Sequence, residues 1–191
     1  MGAFDNVPLL TRHRLTVADY YRMGEAGVFA PNDRVELIEG EVIDMAPIGT
    51  KHAASVTRLA RLFERAVGDR AVVSSQNPLR LSDLSEPEPD VMLLAPRDDF
   101  YAGAHPTATD VLLLIEVADS SARYDREIKL PLYARHGVAE VWIVDLEAAV
   151  VRFFRQPQGE RYLDITSTAI PGAAPVSALP GVVVDLAGVL N

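Results

Sequence analysis

Apolar and polar positions along the 191-residue chain switch between two periods, and the switches mark the elements. The stretch Thr16 to Met23 reads as a short helix. Thr16 is its N-cap, Asp19 is the acid three positions on, and Gly24 or Gly27 ends it. Between Arg34 and Met45 charged and apolar residues alternate around Glu39-Gly40, which predicts a hairpin turning there. From Thr50 to Val67 the period lengthens. Val56, Leu59, Ala60, Phe63, Ala66 and Val67 recur at helical spacing, predicting a long helix that Thr50 caps. Ala71 to Ser75 and Pro78 to Leu81 read as one strand bent at Asn77-Pro78.

Ser82 to Pro89 is proline-punctuated and polar, a loop that leads into the apolar run Val91 to Leu94. A long loop over residues 95–109 precedes a second apolar run, Val111 to Ile115. A second helix is predicted from Ala122 or Tyr124 to His136, stopped by Gly137. Strands follow at 140–145, 149–154 and 161–165. A proline- and glycine-rich tail over 171–180 leads to a last short strand, Val182 to Val184. No repeat or linker interrupts this order. It predicts one α/β domain over 1–191, with a core of about 16–185 and a mixed central sheet flanked by helices.

Composition narrows the setting. With 49% hydrophobic residues the chain can bury a sizeable core. Its longest apolar run is strand-sized, so no membrane span is expected. The first residues lack the basic-then-apolar order of a signal peptide. The absence of cysteine removes disulfides and thiolate metal sites and fits a cytoplasmic protein. A net charge of −9 opposes the phosphate field of nucleic acids, so any such partner needs a local basic face. Arg58, Arg61, Arg80, Arg123 and Arg126 are the candidates for one.

Two acids carry the chemistry. Asp90, behind Pro89, opens the run Val91 to Leu94, and Glu116 closes the run Val111 to Ile115. A carboxylate at the edge of a buried strand must find a cation, a donor or water. On adjacent strands the two would present oxygen ligands to a hard divalent cation, with the Val117 carbonyl as a further ligand. Lys129 on the second helix supplies a positive charge for the attacking water or the phosphate. Asp125 and Tyr133 fall four residues to either side of Lys129, on its face. Bland alternatives stand beside each reading. Asp90 also reads as a loop cap, Asp125–Lys129 as a surface pair and Glu36 as a solvent-facing strand residue; Trp142 and Tyr133 read as core or interface. No Gly-x-Ser-x-Gly or Gly-x-x-x-x-Gly-Lys motif occurs. His13, His105 and His136 have no zinc-ligand spacing.

In combination these residues resemble a family. Pro89-Asp90, a strand, then Glu116-Val117-Ala118 resembles the signature of the PD-(D/E)xK nuclease superfamily. Arg34 to Glu41, His52, Ile115 to Val117, Ala122 to Asp125, Lys129, Tyr133 to Val138 and Glu140 to Asp145 are similar to a family of small bacterial restriction-endonuclease-like proteins abundant in cyanobacteria. The likeness spans about Thr16 to Asp185. One position departs from the superfamily: Ala118 stands where Glu-x-Lys has its lysine. The resemblance implies a restriction-endonuclease-like core with an N-terminal helix and β-hairpin. It implies a nuclease that hydrolyses phosphodiester bonds, of DNA rather than RNA, with magnesium or manganese on Asp90 and Glu116. Lys129 would replace the missing lysine, and Glu36 would be a further catalytic acid. His52, Gln76 and Asp125 would face the substrate, and a homodimer would serve two strands. The alternatives are a catalytically inactive binding or dimerisation module of the same fold, or a hydrolase of small phosphate-containing molecules.

Overall fold

The computed structural model describes residues 11–119, 122–169 and 172–190. The chain opens with helix α1, Val17–Glu25, held by the predicted capping box: the Thr16 side chain accepts from the Asp19 amide, and the Asp19 carboxylate accepts from the Thr16 amide. Strands β1, Val35–Ile38, and β2, Glu41–Asp44, form the hairpin. Its turn residues Glu39 and Gly40 both have positive φ, as a type I′ turn requires. Gly40 has no room for a side chain, since a Cβ there would lie 2.5 Å from that of Arg14. Helix α2, Thr50–Val67, follows, and then a six-stranded sheet.

The sheet contains β3, Val72–Ser75; β4, Val91–Leu94; β5, Val111–Ala118; β6, Glu140–Asp145; β7, Val150–Gln158; and β8, Arg161–Thr168. They lie side by side in chain order, all neighbours antiparallel except the β5–β6 pair. A parallel pair needs a crossover. Here it carries a helical segment in three parts: α3, Ala122–Tyr124, a π-helical turn, Asp125–Lys129, and α4, Leu130–Arg135. The predicted second helix is therefore interrupted. The Leu130 amide bonds to the Asp125 carbonyl, five residues back, which widens the turn.

Alternation along the central strands sends side chains to two cores. Leu113, Ile115 and Val117 of β5 join Val56, Leu59 and Phe63 of α2 on one face. Leu114 and Ala118 join Tyr133 and Ala134 of α4 on the other. Trp142 is fully buried among the first group, against Phe63 and Phe153, which makes it core and removes it as interface material. A short second pair, β9, Ala173–Pro175, and β10, Val183–Asp185, packs beside α2 and draws Ala174 and Val184 into that core.

Three further expectations change. Pro78 to Leu81 is no continuation of β3; Arg80 makes only an isolated bridge to Thr107, and Gln76 with positive φ turns the chain away. The loop over 82–89 is packed, not solvated: Ser85 and Glu86 are buried, and the Glu86 amide bonds to the Leu37 carbonyl. The proline-rich tail contains β9, which composition alone concealed. No helix among the described residues is long and apolar enough to cross a membrane.

Candidate active site

Register builds the site. Val91 of β4 pairs with Ile115 of β5, so one step further Asp90 lies opposite Glu116 on the face that α4 covers. The Asp90 amide points at Glu116 Oε2 at 3.4 Å, and the Val117 amide donates to Asp90 Oδ2 at 2.8 Å. Asp90 is further held by Gln76 Nε2 at 3.4 Å and by His52 Nε2 at 3.1 Å. Gln76 reaches it because its left-handed backbone ends β3 beside the Pro89 and Asp90 carbonyls. Val117 is buried, and its amide anchors Asp90.

The π-helical turn delivers the cation. Lys129 Nζ lies 3.1 Å from Glu36 Oε2 and 3.4 Å from Glu116 Oε1, with the lysine 4% exposed. The surface-pair reading of Asp125 and Lys129 is thereby excluded, since both are buried. Glu36 is likewise buried, not solvent-facing, and is fixed by the Glu88 amide at 3.2 Å and the Tyr124 hydroxyl at 3.2 Å. Tyr133, one turn beyond Lys129, donates its hydroxyl to Glu116 Oε1 at 2.5 Å. Its core placement was legible from the apolar pattern; the bond to Glu116 was not.

Electrostatics follow from burial. Burial raises the proton affinity of Glu116 well above the usual carboxylate range; the Lys129 charge opposes this, and the charges of Asp125 and Asp90 add to it. Burial lowers the pKa of Lys129, but the carboxylates of Glu116, Glu36 and Asp125 outweigh it and hold the ammonium protonated. The hydrogen bond that the Asp90 carboxylate accepts from His52 raises the pKa of the imidazole against a smaller effect of burial. Nδ1 of His52 is buried with no protein partner.

Glu36, His52, Asp90, Glu116, Asp125 and Lys129 share a cavity of about 320 Å³; Gln76, expected to face the substrate, is not among its lining residues and meets the site through Asp90. Seven carboxylates line it against Arg34, Lys129 and His52. None of the five arginines proposed for a basic face is among the lining residues. Arg80 pairs with Asp83 and Glu86, Arg123 with Glu127, and Arg126 with Asp145. Arg34 is the cation that sequence reasoning overlooked. Its only signal was its place at the start of the hairpin that carries Glu36.

Among the described residues no three His, Asp or Glu side chains converge at metal-ligand spacing. A metal here would rest on the Asp90–Glu116 pair, completed by backbone carbonyl, solvent and substrate oxygens. That is a hard, oxygen-only donor set of the kind magnesium takes, with one or two carboxylates. Two facing acids whose charges repel one another in a buried setting fit a divalent cation, because its charge would relieve that repulsion and favour the ionised carboxylates.

The site thus sits on a mixed α/β sheet, with two acids at paired strand positions and a lysine from the crossover helix. The family model described as "Uma2: Putative restriction endonuclease" matches residues 17–187. The chain belongs to this family. A cyanobacterial relative, "Uncharacterized protein sll1609" of Synechocystis sp., is 30% identical over 124 residues, covering 62% of this chain and 67% of that protein. A solved structure described as a "putative nuclease belonging to DUF820", from Anabaena variabilis ATCC 29413, superposes with a TM-score of 0.69. It covers 92% of this chain and 97% of its own at 16% identity, a likeness of fold.

Proposed function

We propose that the protein is a metal-dependent nuclease that hydrolyses phosphodiester bonds, of DNA rather than RNA. The observation that carries this reading is the convergence of Asp90, Glu116 and Lys129 across two strands and a crossover helix. Asp90 and Glu116 would hold magnesium or manganese, with the Val117 carbonyl as a further ligand. Bound there, the ion would supply Lewis acidity to the phosphate and lower the pKa of water.

The chain's own groups divide the remaining work. Lys129 is held protonated, so it acts as a fixed positive charge on the phosphate and not as a base. Glu36 keeps Lys129 in place through the 3.1 Å ion pair. In the step, a water oxygen forms a bond to phosphorus and the bond from phosphorus to the leaving sugar oxygen breaks. The water proton leaves to solvent through the open side of the cavity, and the leaving oxygen is protonated from solvent. His52 and Gln76 orient Asp90, and Asp125 adds negative charge beside Lys129.

Ala118 in place of the usual lysine favours a second reading, a catalytically inactive binding module. Against it, Lys129 Nζ lies 3.4 Å from Glu116 Oε1, where it would supply the charge that Ala118 lacks. The test uses plasmid and single-stranded substrates with magnesium or manganese. Asp90→Ala and Lys129→Ala should each lower cleavage by about 100-fold or more with the fold retained by circular dichroism. Cleavage absent in every metal, or indifferent to both changes, sinks the reading. A homodimer belongs to it as well and is checked by sedimentation velocity.

A further inference from the structure

The cavity has a part that this chemistry does not use. Ile43, Met45, Ala46, Pro47 and Ile48 line it together with the acids. Residues 45–49 link β2 to α2 without regular structure, and Ile48 is 41% exposed. Tyr124 lines the same space, its hydroxyl anchored to Glu36 and its ring half-buried. Open apolar surface beside a group of carboxylates points to an apolar body that covers it. A sugar–phosphate backbone offers none. A nucleobase does, with a face that packs on Met, Ile, Pro or Tyr and an edge that stays polar.

Size and charge favour the same occupant. A cavity of about 320 Å³ is at the small end of ligand sites and accommodates one nucleotide, not a double helix. A duplex also needs a basic track along its phosphates, and the lining cations are Arg34, Lys129 and His52 against seven carboxylates. Arg80, Arg123 and Arg126 are committed to acids elsewhere.

We infer that the site takes an unpaired nucleotide, with its phosphate at Lys129 and the Asp90–Glu116 pair and its base against the wall from Met45 to Ile48 and Tyr124. The substrate class is therefore single-stranded or locally unpaired nucleic acid, in preference to an intact duplex. The inference rests on the nuclease reading for its chemistry and not for its fit.

The experiment compares a dye-labelled single strand, the same sequence as a duplex, and that duplex with an internal bubble. Cleavage is followed in manganese and binding by fluorescence anisotropy in calcium. Single strand and bubble should be cut and bound at least tenfold better than the duplex. The exposed position Ile48 allows a variant that spares the folded core. Ile48→Asp should weaken single-strand binding about tenfold and raise KM, with kcat changed much less. Equal or better use of the duplex overturns the inference, as does binding of neither substrate or an Ile48→Asp variant that binds like wild type. Strand-selective binding without cleavage would remove the nuclease reading and leave this one standing.

Discussion

At the scale of single residues, the site opposes the stability of the fold that holds it. Glu116 is buried beside Asp90 and Asp125, so its proton is held in the folded chain up to about 8 against an ordinary 4.5. Between those values the folded state binds a proton that the unfolded state has lost. Stability therefore falls as pH rises through that window, by about 1.4 kcal/mol for each unit of displacement. A Glu116→Gln variant lacks this titration. Metal-free, it should melt higher than wild type at pH 8 and lose part of the wild-type decline in Tm between pH 5 and pH 8.5. Identical slopes in the two proteins would contradict the assignment. Lys129 gives the opposite sign. Lys129→Ala strands Glu36 and Glu116 without their cation, and chemical denaturation should show a loss of about 3–5 kcal/mol. Lys129→Arg keeps the charge but places a planar fork where a compact ammonium sits between two carboxylates, and should recover stability better than activity.

At the scale of elements, the hairpin and the crossover helix decide whether the acids and the lysine meet. β1 carries Glu36, and its turn is locked where the Gly40 carbonyl accepts from Leu15 and its amide donates to Leu84. With φ at +80° and Arg14 against the missing side chain, Gly40→Ala should cost more than about 1 kcal/mol and lower activity through displacement of Glu36. A thermal melt paired with a cleavage assay checks both. Much of this framework was legible in the chain. Asp90 and Glu116 could be placed because each flanks an apolar run whose neighbours must be strands; Lys129 was placed by the family resemblance, since its spacing to Asp125 equally fitted a surface pair. What resisted reading was relational. The strand period makes Glu36 look solvated between Val35 and Leu37, because alternation cannot show that the packed loop over 82–89 closes the polar face. The π-helical turn was not legible because its one extra residue shifts the helical phase by about one position, which a segment this short does not separate from an unbroken helix. The basic face was read from a list of arginines, and only the fold reveals that several of them already have acids.

At the scale of the whole molecule, the question is how a protein of net charge −9 takes hold of a polyanion. A protein that follows duplex DNA through six to ten phosphate contacts loses affinity steeply with salt, with a log–log slope of about −5 to −9. The geometry here offers far fewer contacts. Lys129 and Arg34 are the permanent cations at the cavity, so about two phosphate neutralisations are available from side chains. For a single strand that corresponds to a slope near −1.4. Apolar contact of a base with the wall from Met45 to Ile48 adds affinity that salt does not screen. Anisotropy titrations of a labelled single strand between 50 and 200 mM salt, at fixed calcium, should thus give a shallow line. Ile48→Asp should displace that line to weaker affinity with little change in its steepness, whereas Arg34→Ala should flatten it. A slope steeper than about −4 would mean that phosphates are engaged outside the cavity, on a surface that the paired arginines do not supply.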